Sequence, residues 1–108
     1  GPDAKAAIPA IRGLLKDAVP EVRAKAAFAL GGFGDDAKAA VPDLVKLFKD
    51  KDERVRASAA AGVGEIGPAA KDAAPGLIGL LKDADPEVRL NAAAALGGLG
   101  KGAKAADK

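Results

Sequence analysis

Seven residue types are missing from this 108-residue chain: histidine, cysteine, methionine, tryptophan, tyrosine, threonine and glutamine. Ser58 is the only serine, Asn91 the only asparagine, and Phe28, Phe33 and Phe48 are the only aromatics. Each gap removes a chemistry. Histidine is the usual general base. Zinc, copper and iron sites draw on cysteine and histidine. A dyad of Ser58 with a lysine is what composition leaves for nucleophilic catalysis, and no local motif supports it. Without cysteine there are no disulfides, which fits any compartment. No apolar run reaches the ~18 residues of a membrane helix, and no charged-then-apolar leader is present. Localisation is therefore open. Seventeen basic against fifteen acidic residues give a net charge of +2, too even to imply a nucleic-acid or acidic-lipid partner. The expectation is a chain with no catalytic, cofactor-binding or metal-ligating residues.

What is present is one unit written three times. Pro9, Pro42 and Pro75 recur at a step of 33 residues, as do Gly34, Gly67 and Gly100. A fixed period in this range marks a stacked-repeat architecture in which each unit touches only its neighbours. The units are 2–34, 35–67 and 68–100, and 101–108 reads as the truncated start of a fourth, all within one domain. Gly1-Pro2 with no initiator methionine fits a processed, excised or synthetic chain equally well.

Each unit holds two helical patterns. Ile8, Ile11, Leu14 and Leu15 lie on one helix face, as do Val41, Leu44, Leu47 and Phe48, with Leu77, Leu80 and Leu81 following. Proline suits the first turn, where no amide partner is lost. First helices are expected over 8–16, 41–49 and 74–82, each preceded by a short helical turn. Asp52-Glu53 and Asp85-Pro86-Glu87 then carry N-cap and dipole signals for a second helix, whereas Val19-Pro20-Glu21 lacks the cap. Val22, Ala26, Ala29, Leu30 and Phe33, with their counterparts 33 and 66 residues on, form the expected buried stripe. Gly34, Gly67 and Gly100 read as C-caps. The recurrence of Gly31, Gly64 and Gly97 inside helices, where glycine weakens them, argues for close backbone approach between neighbours.

Asp17 and Arg23, Asp50 and Arg56, and Asp83 and Arg89 are each six residues apart. The aspartate falls in the turn between helices and the arginine on the first turn of the second. Stacking would bring each aspartate near turn amides and a neighbouring unit's arginine, making a ladder of charge-assisted bonds. Ion-pair networks are a common non-catalytic cause of such pairs.

The string running from Val22-Arg23 to Gly34, and again from Val88-Arg89 to Gly100, reads V-R-x-x-A-A-x-A-L-G-x-x-G. It resembles the HEAT repeat, in particular the HEAT-like type of phycobilisome lyases. The turn aspartate, the arginine and the first-helix proline belong to the same resemblance, which covers residues 2–100. Unit 2 departs from it at Ala61-Gly62-Val63-Gly64. The resemblance implies an all-α, right-handed α-solenoid (superhelix) of three stacked antiparallel helix pairs, HEAT/armadillo-like. The second helices would line the concave side, which usually binds protein partners. Deoxyhypusine hydroxylases, alkylpurine DNA glycosylases and bilin lyases use related folds, but the iron-holding His-Glu pairs, the basic aromatic cleft and the chromophore-handling residues of those enzymes have no match here.

On the second helices the non-core positions vary between units. They place Lys25, Phe28, Arg54, Ser58, Glu65 and Asn91 as candidate partner-binding residues. Phe28 is the outlier, with Ala61 and Ala94 as counterparts; an exposed aromatic can anchor a partner, and the plainer reading is that it packs on its neighbour. Asp50-Lys51-Asp52-Glu53 lacks the glycine turn and ligand spacing of a calcium loop, and Lys101, Lys104 and Lys108 read as a solvated cluster. The leading expectation is a protein–protein interaction scaffold. End-to-end self-association, and an accessory domain of a larger enzyme, are the alternatives.

Overall fold

The computed structural model describes the backbone of residues 2–106. Among these residues every element is helical. A short turn of helix, α1 (Pro2–Lys5), leads into α2 (Ile8–Leu14), which pairs with α3 (Pro20–Gly31). A 3-10 segment over Gly34–Ala40 hands the chain to α4 (Val41–Lys46), extended by Leu47–Lys49 in 3-10 form and paired with α5 (Glu53–Ile66). A second 3-10 segment, Gly67–Ala73, leads to α6 (Ala74–Leu80) and α7 (Pro86–Ala106). The three hairpins stack in chain order, α3 on α5 and α5 on α7, giving a slab of 44 × 39 × 17 Å.

Local chemistry sets the boundaries. Each first helix starts one residue before its proline, with that proline on the first turn. The α-helices end short of the expected 16, 49 and 82, because the last turn tightens into 3-10 or turn geometry before the loop aspartate. The Asp52 carboxylate caps α5 by accepting from the Arg54 amide at 2.8 Å, and Asp85 accepts from the Val88 amide at 3.1 Å. No side chain caps α3. Gly34 and Gly67 adopt φ of +57° and +83°, left-handed values that glycine takes without a Cβ penalty.

Two expectations need correction. Gly100 does not stop its helix: α7 runs on through it to Ala106, so residues 101–106 extend the third unit's second helix and do not open a new turn. Gly34 and Gly67 are each followed by a full helix pair whose packing rewards the break. After Gly100 no such pair follows among the described residues, and helical hydrogen bonding continues to Ala106. Ala29, placed on the buried stripe, is exposed. Its counterparts Gly62 and Ala95 are covered by the preceding hairpin, and nothing among the described residues stands in that place for unit 1.

The core is a continuous apolar seam. Leu30, Leu44, Leu77, Val55, Val63 and Val88 are fully buried, and among the described residues no polar side chain is buried with them. Alanines fill the spaces between second helices. Ala27 and Ala60, on the side facing the next unit, have no exposed surface at all. Where α3 meets α5, the backbones nearly touch: a Cβ on Gly31 would lie 2.8 Å from the Glu65 Cβ and 2.9 Å from the Gly62 oxygen. Gly64 meets Ala95 in the same way in the next seam. Gly97, at the far end, faces open space.

Candidate functional site

Two sets of residues were singled out by sequence, and the fold places them on different edges of the slab. The first set forms rungs at the turn edge. Arg23 donates from Nη1 to the Asp17 carbonyl oxygen at 2.8 Å and to that of Ala18 at 3.2 Å. Its Nε and Nη2 reach into the next unit, to Asp50 Oδ2 at 2.9 Å and Oδ1 at 3.0 Å. Arg56 repeats this with Asp50 and Lys51 carbonyls on one side and the Asp83 carboxylate, at 2.9 and 3.1 Å, on the other. Each bridging carboxylate also accepts a turn amide, Asp52 N for Asp50 and Asp85 N for Asp83. Planar guanidinium is suited to this, since its fork matches a carboxylate with two bonds. Asp17 and Arg89 belong to the same register but stand at opposite ends of the stack, so neither completes a rung within the chain.

The rungs bias their own protonation. Burial works to raise the Asp50 carboxyl, but hydrogen bonds from Arg23 and the Asp52 amide outweigh it and hold the group below its ordinary range. At Asp83 the bond from Arg56 dominates and the direction is the same. Asp52, outside the ladder, is pulled down to about 2 by its bonds from the Arg54 side chain and amide.

The second set lies on the outer face of the second helices. Lys25, Phe28, Arg54 and Ser58 come together with Glu21, Ala24 and Ala29 around a groove of about 350 Å³ between α3 and α5. Phe28 is 59% exposed there. Arg54 is tied to Asp52, Nη2 to Oδ2 at 2.8 Å, which with the nearby Glu21 raises its pKa. No carboxylate pairs with Lys25 among the described residues. Glu65 and Asn91 line a groove of about 460 Å³ between α5 and α7 with Ala94, Gly98 and Lys101, and Asn91 also borders one of about 410 Å³ with Arg54 and Ser58. The Asn91 amide donates one hydrogen to the Ala57 carbonyl at 3.0 Å across the seam. Lys104 and Lys108 lie outside the residues whose side chains are described.

Sequence reasoning missed a third region. On the first-helix side, the seam between units 1 and 2 is closed by Arg12 on Asp43 at 2.9 Å and Lys5 on Asp36 at 3.5 Å. Neither pair repeats. Their counterparts in the next seam are Val45 with Gly76 and Lys38 with Ala69, and a groove of about 720 Å³ opens there, walled by Val41, Pro42, Val45 and Ala69. A comparison of charges 31 residues apart would have found the first pair; the groove follows from its absence in the second seam. Among the described residues no group of three acidic side chains is arranged to hold a metal ion, and no helix is long and apolar enough to cross a membrane.

Stacked helix hairpins with an arginine–aspartate ladder define an α-helical repeat scaffold. The chain belongs to the HEAT repeat family: HEAT repeats match residues 41–108, and the PBS lyase HEAT-like repeat matches residues 22–50. Among solved structures it is similar to the crystal structure of an engineered protein from a structural genomics consortium, with 27% identity and a TM-score of 0.69. That match covers 84% of this chain and 44% of the other, so the present chain spans less than half of that relative. No curated protein matches.

Proposed function

We propose that this chain is a non-catalytic scaffold whose second-helix face binds a protein segment in the groove between α3 and α5. The observation that carries the reading is Phe28, an aromatic ring left mostly in solvent beside the unpaired Lys25. A rigid ring flanked by a cation suits a segment that places an apolar side chain against Phe28 and a carboxylate near the Lys25 amine. Arg54, already neutralised by Asp52, contributes shape and a hydroxyl-bearing neighbour in Ser58, more than net charge. Catalysis has little to work with on this face, where Ser58 is the one nucleophilic hydroxyl and no histidine exists to activate it.

The test is selection of displayed random peptides on the intact chain. Enriched sequences should pair a large apolar residue with an acidic one, and Phe28→Ala and Lys25→Glu should each weaken them by about tenfold or more, which is about 1.4 kcal/mol. The Phe28→Ala melting temperature should stay within a few degrees of the parent. Selected peptides that bind both variants unchanged would place the binding surface elsewhere.

A further inference from the structure

We propose that the two end faces of the chain are complementary and that a second copy of the chain occupies them, stacking head to tail in the register of the internal seams. The argument rests on the seams the chain already makes. At the far end the Arg89 guanidinium is set up like those of Arg23 and Arg56: Nη1 donates to the Asp83 carbonyl at 2.7 Å and to that of Ala84 at 3.0 Å. Its Nε and Nη2 edge, which in the other two rungs grips the next aspartate, meets no acceptor among the described residues. At the near end the Asp17 carboxylate is held as Asp50 and Asp83 are, by an amide two residues on, here Val19 N at 2.9 Å. It receives no arginine. The two halves of a third rung are thus already oriented and stand at opposite ends of one molecule.

The apolar surfaces agree. Leu81 is 39% exposed, while Phe48 and Leu15, its counterparts, are 6% and 3% exposed under the unit that follows. Ile78 and Leu90 stand in solvent on the same far face. On the near face Ile11 is half-buried and Leu14 exposed, where Leu44, Leu77 and Leu80 are covered. Gly97 is open, while Gly31 and Gly64 receive Gly62 and Ala95; a second copy would present Ala29 there, repeating the glycine-on-alanine contact of the second internal seam. Leu90 is larger than the Ala24 and Ala57 it replaces. The residue brought opposite is Lys25, whose flexible stem can lie over it. Because α7 continues straight past Gly100, its end leaves the course that the chain takes after Gly34 and Gly67. A head-to-tail contact of this kind is heterologous and grows into rings or open filaments.

Sedimentation of the full chain from about 10 μM to about 1 mM should show a mass that rises with concentration past the dimer. Gly97→Ala is the cleanest tail block. It should leave the monomer at least as helical and stable, because alanine favours helix, yet raise the dissociation constant about tenfold or more by colliding with the incoming Ala29. Arg89→Glu should act in the same direction. The decisive arm mixes Gly97→Ala with the head-blocked Asp17→Arg; each alone should associate about tenfold or more weakly than the parent, and together they should give a 1:1 dimer through the one intact pair of faces at parental strength. If Asp17→Arg is not helical by circular dichroism, Ala29→Lys replaces it as the head block. A concentration-independent monomer overturns the proposal. So does association that neither block weakens, or a symmetric dimer that mixing does not restore.

Discussion

The two internal seams share a ladder and differ in almost everything around it. Arg23 on Asp50 and Arg56 on Asp83 match to within 0.1 Å in every bond to the carboxylate. Beside them, the first seam is sealed by ion pairs on the first-helix side, and the second opens into an apolar groove. On the other side, Gly31 meets Gly62 and Glu65 in the first seam, and Gly64 meets Ala95 and Gly98 in the second, where Asn91 adds a cross-seam bond. The lesson is a division of labour. Backbone carbonyls, a fixed guanidinium and a capped carboxylate set the spacing, and side chains away from that edge are released to vary.

The sharpest way to break this equivalence is in the core. Leu44 and Leu77 are 33 residues apart and both fully buried. Leu44→Ala and Leu77→Ala should each cost about 2–5 kcal/mol and should agree within about 1 kcal/mol by urea denaturation; a larger gap would mean that the seams are not equally tight. Gly62→Ala comes next. Its new methyl would overlap the Ala27 carbonyl oxygen, and overpacking of this kind costs about 1–3 kcal/mol. The reciprocal change, Ala95→Gly, should cost only the helix preference of about 1 kcal/mol.

The ladder should respond the same way in both seams. Asp50→Asn and Asp83→Asn each leave an arginine fork half-satisfied and should lower the melting temperature by about 5 °C or more. Acid should do likewise. The folded-state pKa values of Asp50 and Asp83 lie below the ordinary 3.8, and that of Asp52 falls to about 2. Their contribution is therefore complete above about pH 5 and is lost as pH falls from about 4 towards 2. A chain carrying both asparagines should show a shallower acid limb. The smallest effect belongs to one of the two pairs that do not repeat: Arg12→Ala breaks an ion pair more open to solvent than the rungs and should cost at most about 1 kcal/mol.

Much of the fold was legible because punctuation repeats. Pro9, Pro42 and Pro75 mark the first-helix starts, and Asp52 and Asp85 mark two of the second. What the sequence hid was direction. Alanine pervades α3, so hydropathy marks no single face there, whereas α5 and α7 are amphipathic. The stripe through Ala26 and Leu30 was visible, but Ala27 and Ala60, buried just as deeply against the following unit, fall outside it. Ala29 erred the other way, because the burial of its counterparts depends on a preceding hairpin, and none stands before unit 1 among the described residues. Four of the six face residues, Lys25, Phe28, Arg54 and Ser58, line one groove, since helical spacing alone puts them on one side. The cross-seam bond of Asn91 was not legible, because a lone amide gives no sign of whether a carbonyl lies within reach.

The bonds that fix hairpin spacing run through turn carbonyls, turn amides and two charged side chains, none of them on the outer face of the second helices. Positions 25, 28, 58, 61 and 94 can therefore be rewritten with little mechanical consequence for the frame, whereas Asn91 carries a bond across the second seam. A lineage, or an experimenter, could draw a new recognition surface onto the same chassis by point substitution, one hairpin at a time.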